Sequence, residues 1–432
     1  MFKTAQGVDV TNVYANTHQP EMVHQELTVT DTQPNVASCE TNHMFLYLTF
    51  SRLVMLMTDP NTPPLVEDAF WDTYRQFATP RDVLERLIER YDVPAVADVR
   101  DAQRSPLDAQ AYAWLRESVR RRVFELLEHW VDRCYFDFAD TAIRQRLHLW
   151  VSQKIDLDGA PSKILTLMKH RDFRPLRERL QDRLLPGVVY KNQLLTPTAM
   201  LTKYSHVVLA KELTFLTQVV HSRIHPSELL GRQWEGPDAS NVPNYITYRD
   251  FFARVNNWAT YAVVSEGDFS TRVQNLAKLI LLCEELNQLR NWDMLVAVHG
   301  GISEMSVRNL LSTWDGLPPE VRPVLTSLNE LVSARGSWRN LKQAIKDSKR
   351  PHFPCIASFF REIQFLEEQP VQRDGYVNFY RCIQQSNLLT GLLDGKSTTL
   401  ETYVAQPEIH GQFAFWDVVH EKVLAELSDS KR

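Results

Sequence analysis

At 432 residues, 44% of them hydrophobic and only 14 of them glycine, the chain can bury a sizeable core in two or three domains and is neither disordered nor collagen-like. Its 48 Lys and Arg against 53 Asp and Glu give a formal charge of −5, which excludes a global cationic field for nucleic acid or anionic lipid. The longest apolar stretch, Met44 to Met57, is too short for a bilayer and is broken by Arg52. The opening MFKTAQGVDV has no signal-peptide apolar block, and the five scattered cysteines include no CxxC pair, so the expectation is a soluble chain with reduced thiols.

Residues 1–43 are rich in Thr, Asn, Gln and His with little apolar periodicity, and read as a mobile lead or an arm over a later domain. Apolar density begins at Met44. In residues 80–94, Val83, Leu84, Leu87, Ile88 and Tyr91 recur at helical spacing, with Thr79 as cap, Pro80 at the first position and Pro94 beyond the end. Val119, Val123, Phe124, Leu126, Leu127, Trp130 and Val131 make the apolar face of a second helix, with Arg116 and Arg120–Arg122 largely opposite. Further helices are expected at 141–153 and 162–184, then a linker at 185–197 marked by Pro186, Gly187 and Pro197. Beyond it the spacing predicts helices at 206–222, 246–264, 270–287, 290–299, 304–312, 319–333, 338–347, 355–368, 372–390 and 414–427. Alternating strand patterns are scarce and no fixed-period repeat is visible, so the fold class expected is all-α.

Most chemical motifs fail on spacing. GLLDGKST at 391–398 has three residues between Gly391 and Gly395 where a phosphate-binding loop has four. Gly300–Gly301 has no GxSxG elbow beside it and reads as a break between helices. No HExxH or Cys/His zinc spacing occurs, so His299 and His352 read as packed or surface histidines. The basic run at 169–183 is interleaved with Asp172, Glu178 and Asp182, as on a solvated helical face.

The informative stretch is residues 337–370, two helices around a Pro-containing corner. Trp338, Leu341 and Ile345 line one helix, Phe359, Phe360, Ile363 and Leu366 the other, and Gln364 and Glu368 stand four apart on a shared surface. Here the sequence resembles the catalytic domain of Ras-type guanine-nucleotide exchange factors. AKELTFLTQVVHSRIHPSELLGRQW at 210–234 is similar to that domain's opening helix and its Pro-x-Glu-Leu-Leu…Trp element. VNNWATY at 255–261, Arg272, CEELNQLRNWD at 283–293 and STW at 312–314 follow in family order. RPHFP at 350–354, FFREIQFLEE at 359–368 and NFYR at 378–381 resemble the corner, the tip helix and the element after the hairpin. Upstream, residues 70–94 and 123–138 resemble the Ras exchanger motif, so the resemblance covers roughly 44–428.

The resemblance implies a 44–185 exchanger module packed on a 200–432 catalytic domain with a protruding helical hairpin, joined by a 186–199 linker. It implies GDP release from a Ras- or Rap-like GTPase without covalent chemistry. GDP, GTP and Mg²⁺ would belong to that partner, and the protein would need no cofactor of its own. Glu368 matches the tip-helix glutamate that competes with phosphate, and Gln364 a neighbouring position that crowds the Mg²⁺ site. Lys211 and Thr214 match polar positions facing switch II, Trp338 and Cys355 a pocket for a switch II aromatic, and Asn256 a residue supporting the hairpin. The sequence departs from the family at Asn309, Arg350, Cys355, Gln364 and Gln369–Pro370. The expected location is the cytoplasm, with recruitment to membranes through partners, or a host cytosol for a secreted chain. Two alternatives stay open: a non-catalytic GTPase-binding adaptor and a helical scaffold, in which Trp338 is a core aromatic and Glu368 a solvated helix end.

Overall fold

The computed structural model describes residues 47–93, 106–158, 163–171, 173, 195–235, 242–348, 352–393 and 406–431. The expected lead at 1–43, the linker up to residue 194, most of the basic run at 169–183 and the 394–398 part of GLLDGKST lie outside these residues. Among the described residues there are nineteen α-helices and one three-stranded sheet, an all-α architecture. They divide into two compact units. The first takes residues up to 175 together with Leu366–Asn387, and the second takes 176 to Phe365 together with Leu388–Arg432.

In the first unit, strand β1 (Tyr47–Thr49) leads into helix α1 (Phe50–Met57), followed by α2 (Pro64–Thr73), α3 (Pro80–Tyr91), α4 (Pro106–Arg133), α5 (Thr141–Asp158) and α6 (Lys163–His170). The α3 boundary forms as its sequence predicts. Thr79 Oγ1 accepts from the Asp82 N–H, the Asp82 carboxylate accepts from the Thr79 N–H, and Pro80 opens the helix. The seven apolar positions expected on α4 are all buried, with Trp130, Leu126 and Leu127 fully so. Asp137 fixes the aromatic centre of this core. Its carboxylate accepts from Tyr74 (2.5 Å), Trp130 Nε1 (2.7 Å) and, through two bonds of 3.0 and 2.6 Å, from Arg75. A buried carboxylate is tolerable only with this degree of compensation.

Residues 372–378, expected to be helical, are instead β2 (Gln372–Arg373) and β3 (Tyr376–Asn378). The reason is local. Asp374 (φ 52°) and Gly375 (φ 83°) both take the left-handed conformation that a two-residue hairpin turn requires. The sheet order is β1-β3-β2, antiparallel throughout, with Leu48 opposite Val377. Helix α17 (Phe379–Leu393) begins in the first unit, where Val377, Phe379 and Cys382 enter the core and Ser386 donates to the buried Asp72 at 2.7 Å.

The second unit contains α7 (Pro197–Lys203), α8 (His206–His221), α9 (Pro243–Val264), α10 (Phe269–Gln288), α11 (Trp292–Ile302), α12 (Met305–Arg308), α13 (Leu311–Asp315), α14 (Val321–Leu331), α15 (Arg339–Asp347), most of α16 (Phe360–Glu367), α18 (Pro407–Phe415) and α19 (Glu421–Asp429). Helices α8 to α11 form its centre around Trp258, Leu213, Leu279 and Val298. Gly300–Gly301 is not a break between helices. Both residues lie inside α11, where α9 crosses so closely that a Cβ at Gly301 would stand 2.3 Å from the Asn256 carbonyl oxygen. The helix expected at 304–312 is two short helices, α12 and α13.

Candidate functional site

The candidate residues sit on five pieces of the fold. Lys211 and Thr214 share α8, three residues apart, yet their environments differ: the Lys211 side chain is exposed and Thr214 is buried. The Thr214 hydroxyl donates to the Ala210 carbonyl at 2.8 Å and accepts from Asn291 Nδ2 at 3.1 Å. Asn291 caps α11 through its own Oδ1 and forms a bridge to Phe353, whose N–H donates to the Arg290 carbonyl at 2.9 Å. Two residues further on is Cys355. The structure therefore joins Thr214 to the base of the hairpin through one buried asparagine.

Cys355 is fully buried. Burial pushes its thiol pKa well up, and the neighbouring Asp293 carboxylate adds to the effect, so the side chain packs as a neutral thiol. Asp293 is itself buried, accepting from Tyr248 at 2.6 Å with His221 Nε2 at 3.1 Å. Asn256, expected to support the hairpin, donates through Nδ2 to the Ala297 carbonyl on α11 at 3.1 Å. It lies at the close crossing of α9 and α11 described above.

Trp338 precedes α15 in a strained turn. Gly336 (φ 64°), Ser337 (φ 57°) and Trp338 (φ 63°) are all left-handed, a run that non-glycine residues adopt only when their surroundings hold them. Trp338 is partly buried against the second core. Across from this turn, α16 carries Ile363 buried, Gln364 half-buried and Phe365 63% exposed. Arg361 Nη1 donates to Ser337 Oγ at 2.7 Å, and Lys342 on α15 forms an ion pair with Glu362. Neither contact nor Phe365 is legible in the sequence, because opposite charges twenty residues apart carry no pairing signal until two helices fold back on each other.

Glu368 stands one residue past the end of α16 and is exposed, with no hydrogen bond or ion pair among the described residues. It belongs to the residues of the first unit, and Gln364 to those of the second. No group of three or more His, Cys, Asp or Glu side chains suited to a metal ion occurs among the described residues. His299 pairs with Asn329 at 2.7 Å and His352 with Ser348 at 2.9 Å. No helix among the described residues is long and apolar enough to cross a membrane.

Residues 208–383 match the RasGEF domain, and residues 45–149 match the RasGEF N-terminal motif. Three proteins of Dictyostelium discoideum are similar along much of the chain. Ras guanine nucleotide exchange factor R is 25% identical over 341 residues, covering 77% of this chain and 19% of the relative. Factor V is 23% identical over 390 residues, covering 88% and 18%, and factor J is 24% identical over 358 residues, covering 80% and 43%. The chain thus spans from about a fifth to less than half of the length of these relatives. With the N-terminal motif and the exchange domain matched in family order, and relatives of that kind similar across both, the chain belongs to the family of Ras-type guanine-nucleotide exchange factors.

Proposed function

We propose that this protein accelerates GDP release from a small GTPase of the Ras or Rap kind. The observation that carries the proposal is the ordered pair of family modules. The exposed, unpaired Glu368 just beyond α16 supports it.

A GTPase holds GDP through backbone N–H groups and a lysine around the phosphates, with Mg²⁺ offsetting their charge. Nucleotide and metal both belong to the GTPase, and no covalent bond changes. A protein that binds the empty GTPase more tightly than the loaded one weakens nucleotide affinity by the same factor, because linkage is reciprocal. Each tenfold gain in release rate corresponds to about 1.4 kcal/mol of stabilisation on the path to release.

In this reading the α15–α16 hairpin displaces switch I. Glu368 offers a carboxylate to the donors that phosphate leaves, and Gln364 crowds the Mg²⁺ position. Lys211 and Trp338 meet switch II at the surface, while Thr214 and Cys355 shape the pocket from beneath, consistent with their burial. Asn256 supports the site through α11.

The test is release of a fluorescent GDP analogue from a panel of small GTPases. The expected result is faster release from at least one Ras or Rap protein. Unchanged release across the panel overturns the proposal. Binding without acceleration identifies the adaptor, a reading favoured by the polar Gln364 and by Gln369–Pro370 after the tip helix.

A further inference from the structure

Two contacts tie α16 to the strained turn and to α15, and neither involves a residue assigned above to GTPase recognition. Lys342 Nζ donates to Glu362 Oε1, and the same ammonium lies 5.3 Å from the centre of the Phe359 ring. The side chain of Lys342 is only 19% exposed. The Glu362 side chain is 41% exposed overall, while its other carboxylate oxygen, Oε2, is covered and makes no hydrogen bond among the described residues, so Lys342 is its charge partner in a half-exposed pair. At the adjoining turn of α16, Arg361 Nη1 donates to Ser337 Oγ, holding a serine whose φ of 57° is unfavourable on its own. The struts act at positions 361 and 362, immediately before Ile363 and Gln364, so they fix both the rotation and the placement of the helix that presents Gln364 and Phe365.

We propose that Lys342, Glu362 and Arg361 are positioning residues for nucleotide exchange, a two-strut clamp that holds the tip helix rigid against α15 while it is driven into a GTPase. The inference rests on the exchange reading above. A wedge that must displace part of another protein transmits force only if it does not yield first, and the clamp supplies that stiffness where the backbone is left-handed. Losing it lowers the maximal rate of release, because the loosened helix still docks but seldom reaches the displacing pose. The concentration for half-maximal effect changes little, because the residues facing switch II are untouched.

The experiment uses the full chain and a GTPase loaded with a fluorescent GDP analogue. Lys342→Glu and Glu362→Lys, each alone, are expected to cut the maximal stimulated rate about tenfold, with half-saturation shifted less than about threefold. The exchanged pair Lys342→Glu with Glu362→Lys is expected to recover most of that rate. Arg361→Ala tests the exposed strut without burying a charge and is expected to lower the maximal rate about threefold, with partial recovery in Arg361→Lys. If folded single variants match the wild type, or the exchanged pair is as slow as either single variant, the clamp is overturned while the exchange reading stands. If the wild type itself accelerates no GTPase in the panel, both fall together.

Discussion

Glu368 is exposed and makes no hydrogen bond or ion pair among the described residues, and in the proposed exchange role its carboxylate meets the donors that phosphate leaves. Glu368→Ala is therefore expected to slow stimulated release about tenfold or more while nucleotide-free binding changes less than about threefold, read by stopped-flow release beside equilibrium binding. Glu67 shows the opposite case of an acid satisfied internally. Burial alone raises its pKa, but the hydrogen bond with His129 at 2.8 Å and the Arg122 guanidinium outweigh burial and bring it to about 2. A carboxyl held below its unfolded value contributes stability that is complete above about pH 4.5 and lost as pH falls toward 2. The contribution is about 3 kcal/mol at most by 1.36 kcal/mol per unit. Denaturant unfolding at pH 5 and at pH 3 should show a smaller acid loss in Glu67→Gln than in the wild type. At this scale the sequence was most readable where the cause is local. Thr79 and Pro80 announce their cap, whereas Thr214 meets Asn291 only across a separation of 77 positions, and the same asparagine bridges to Phe353 beside Cys355.

Among the elements, long helices were evident from apolar spacing, and α8, α9, α10 and α15 lie within a few residues of the expected ranges. The short strands were not evident. A strand of two or three residues is too brief to show alternation, and β3 exists because β1 supplies its partner from the far end of the sequence. Gly300–Gly301 misleads for a related reason, since glycine pairs usually end helices and only the presence of α9 reveals that these two permit close approach. Gly301→Ala would place a methyl 2.3 Å from the Asn256 carbonyl oxygen and 2.9 Å from Ala259 Cβ, mostly unyielding groups. It is expected to destabilise the second unit by about 1–3 kcal/mol, seen as a melting transition lowered by several degrees. Because Asn256 reaches the same helix, exchange activity should fall with it.

For the molecule as a whole, the family order of modules was readable because it survives at low identity, and so was the all-α class. Linear order does not reveal that Leu366–Asn387 joins the first unit, through the β1–β3 ladder, the Ser386–Asp72 bond and the burial of Phe379 and Cys382. That arrangement predicts non-covalent complementation. Residues 1–175 and 176–432, co-expressed as separate chains, should co-purify, because the second chain carries strands β2 and β3 and the first part of α17, which complete the first unit. A version of the second chain with Val377→Asp and Phe379→Asp should fail to capture its partner in the same pull-down.

The same ladder has a consequence for biosynthesis. Tyr47 leaves the ribosome long before Asn378, whose side chain it meets across a separation of 331 positions. At about 5–20 residues per second, translation leaves the early module without its second contributing segment for about 15–65 s. During that interval a nascent chain exposes an unpaired strand edge at β1 and the seat later filled by Phe379. Molecular chaperones that shield such edges would find their natural client here in the growing polypeptide rather than in the finished protein.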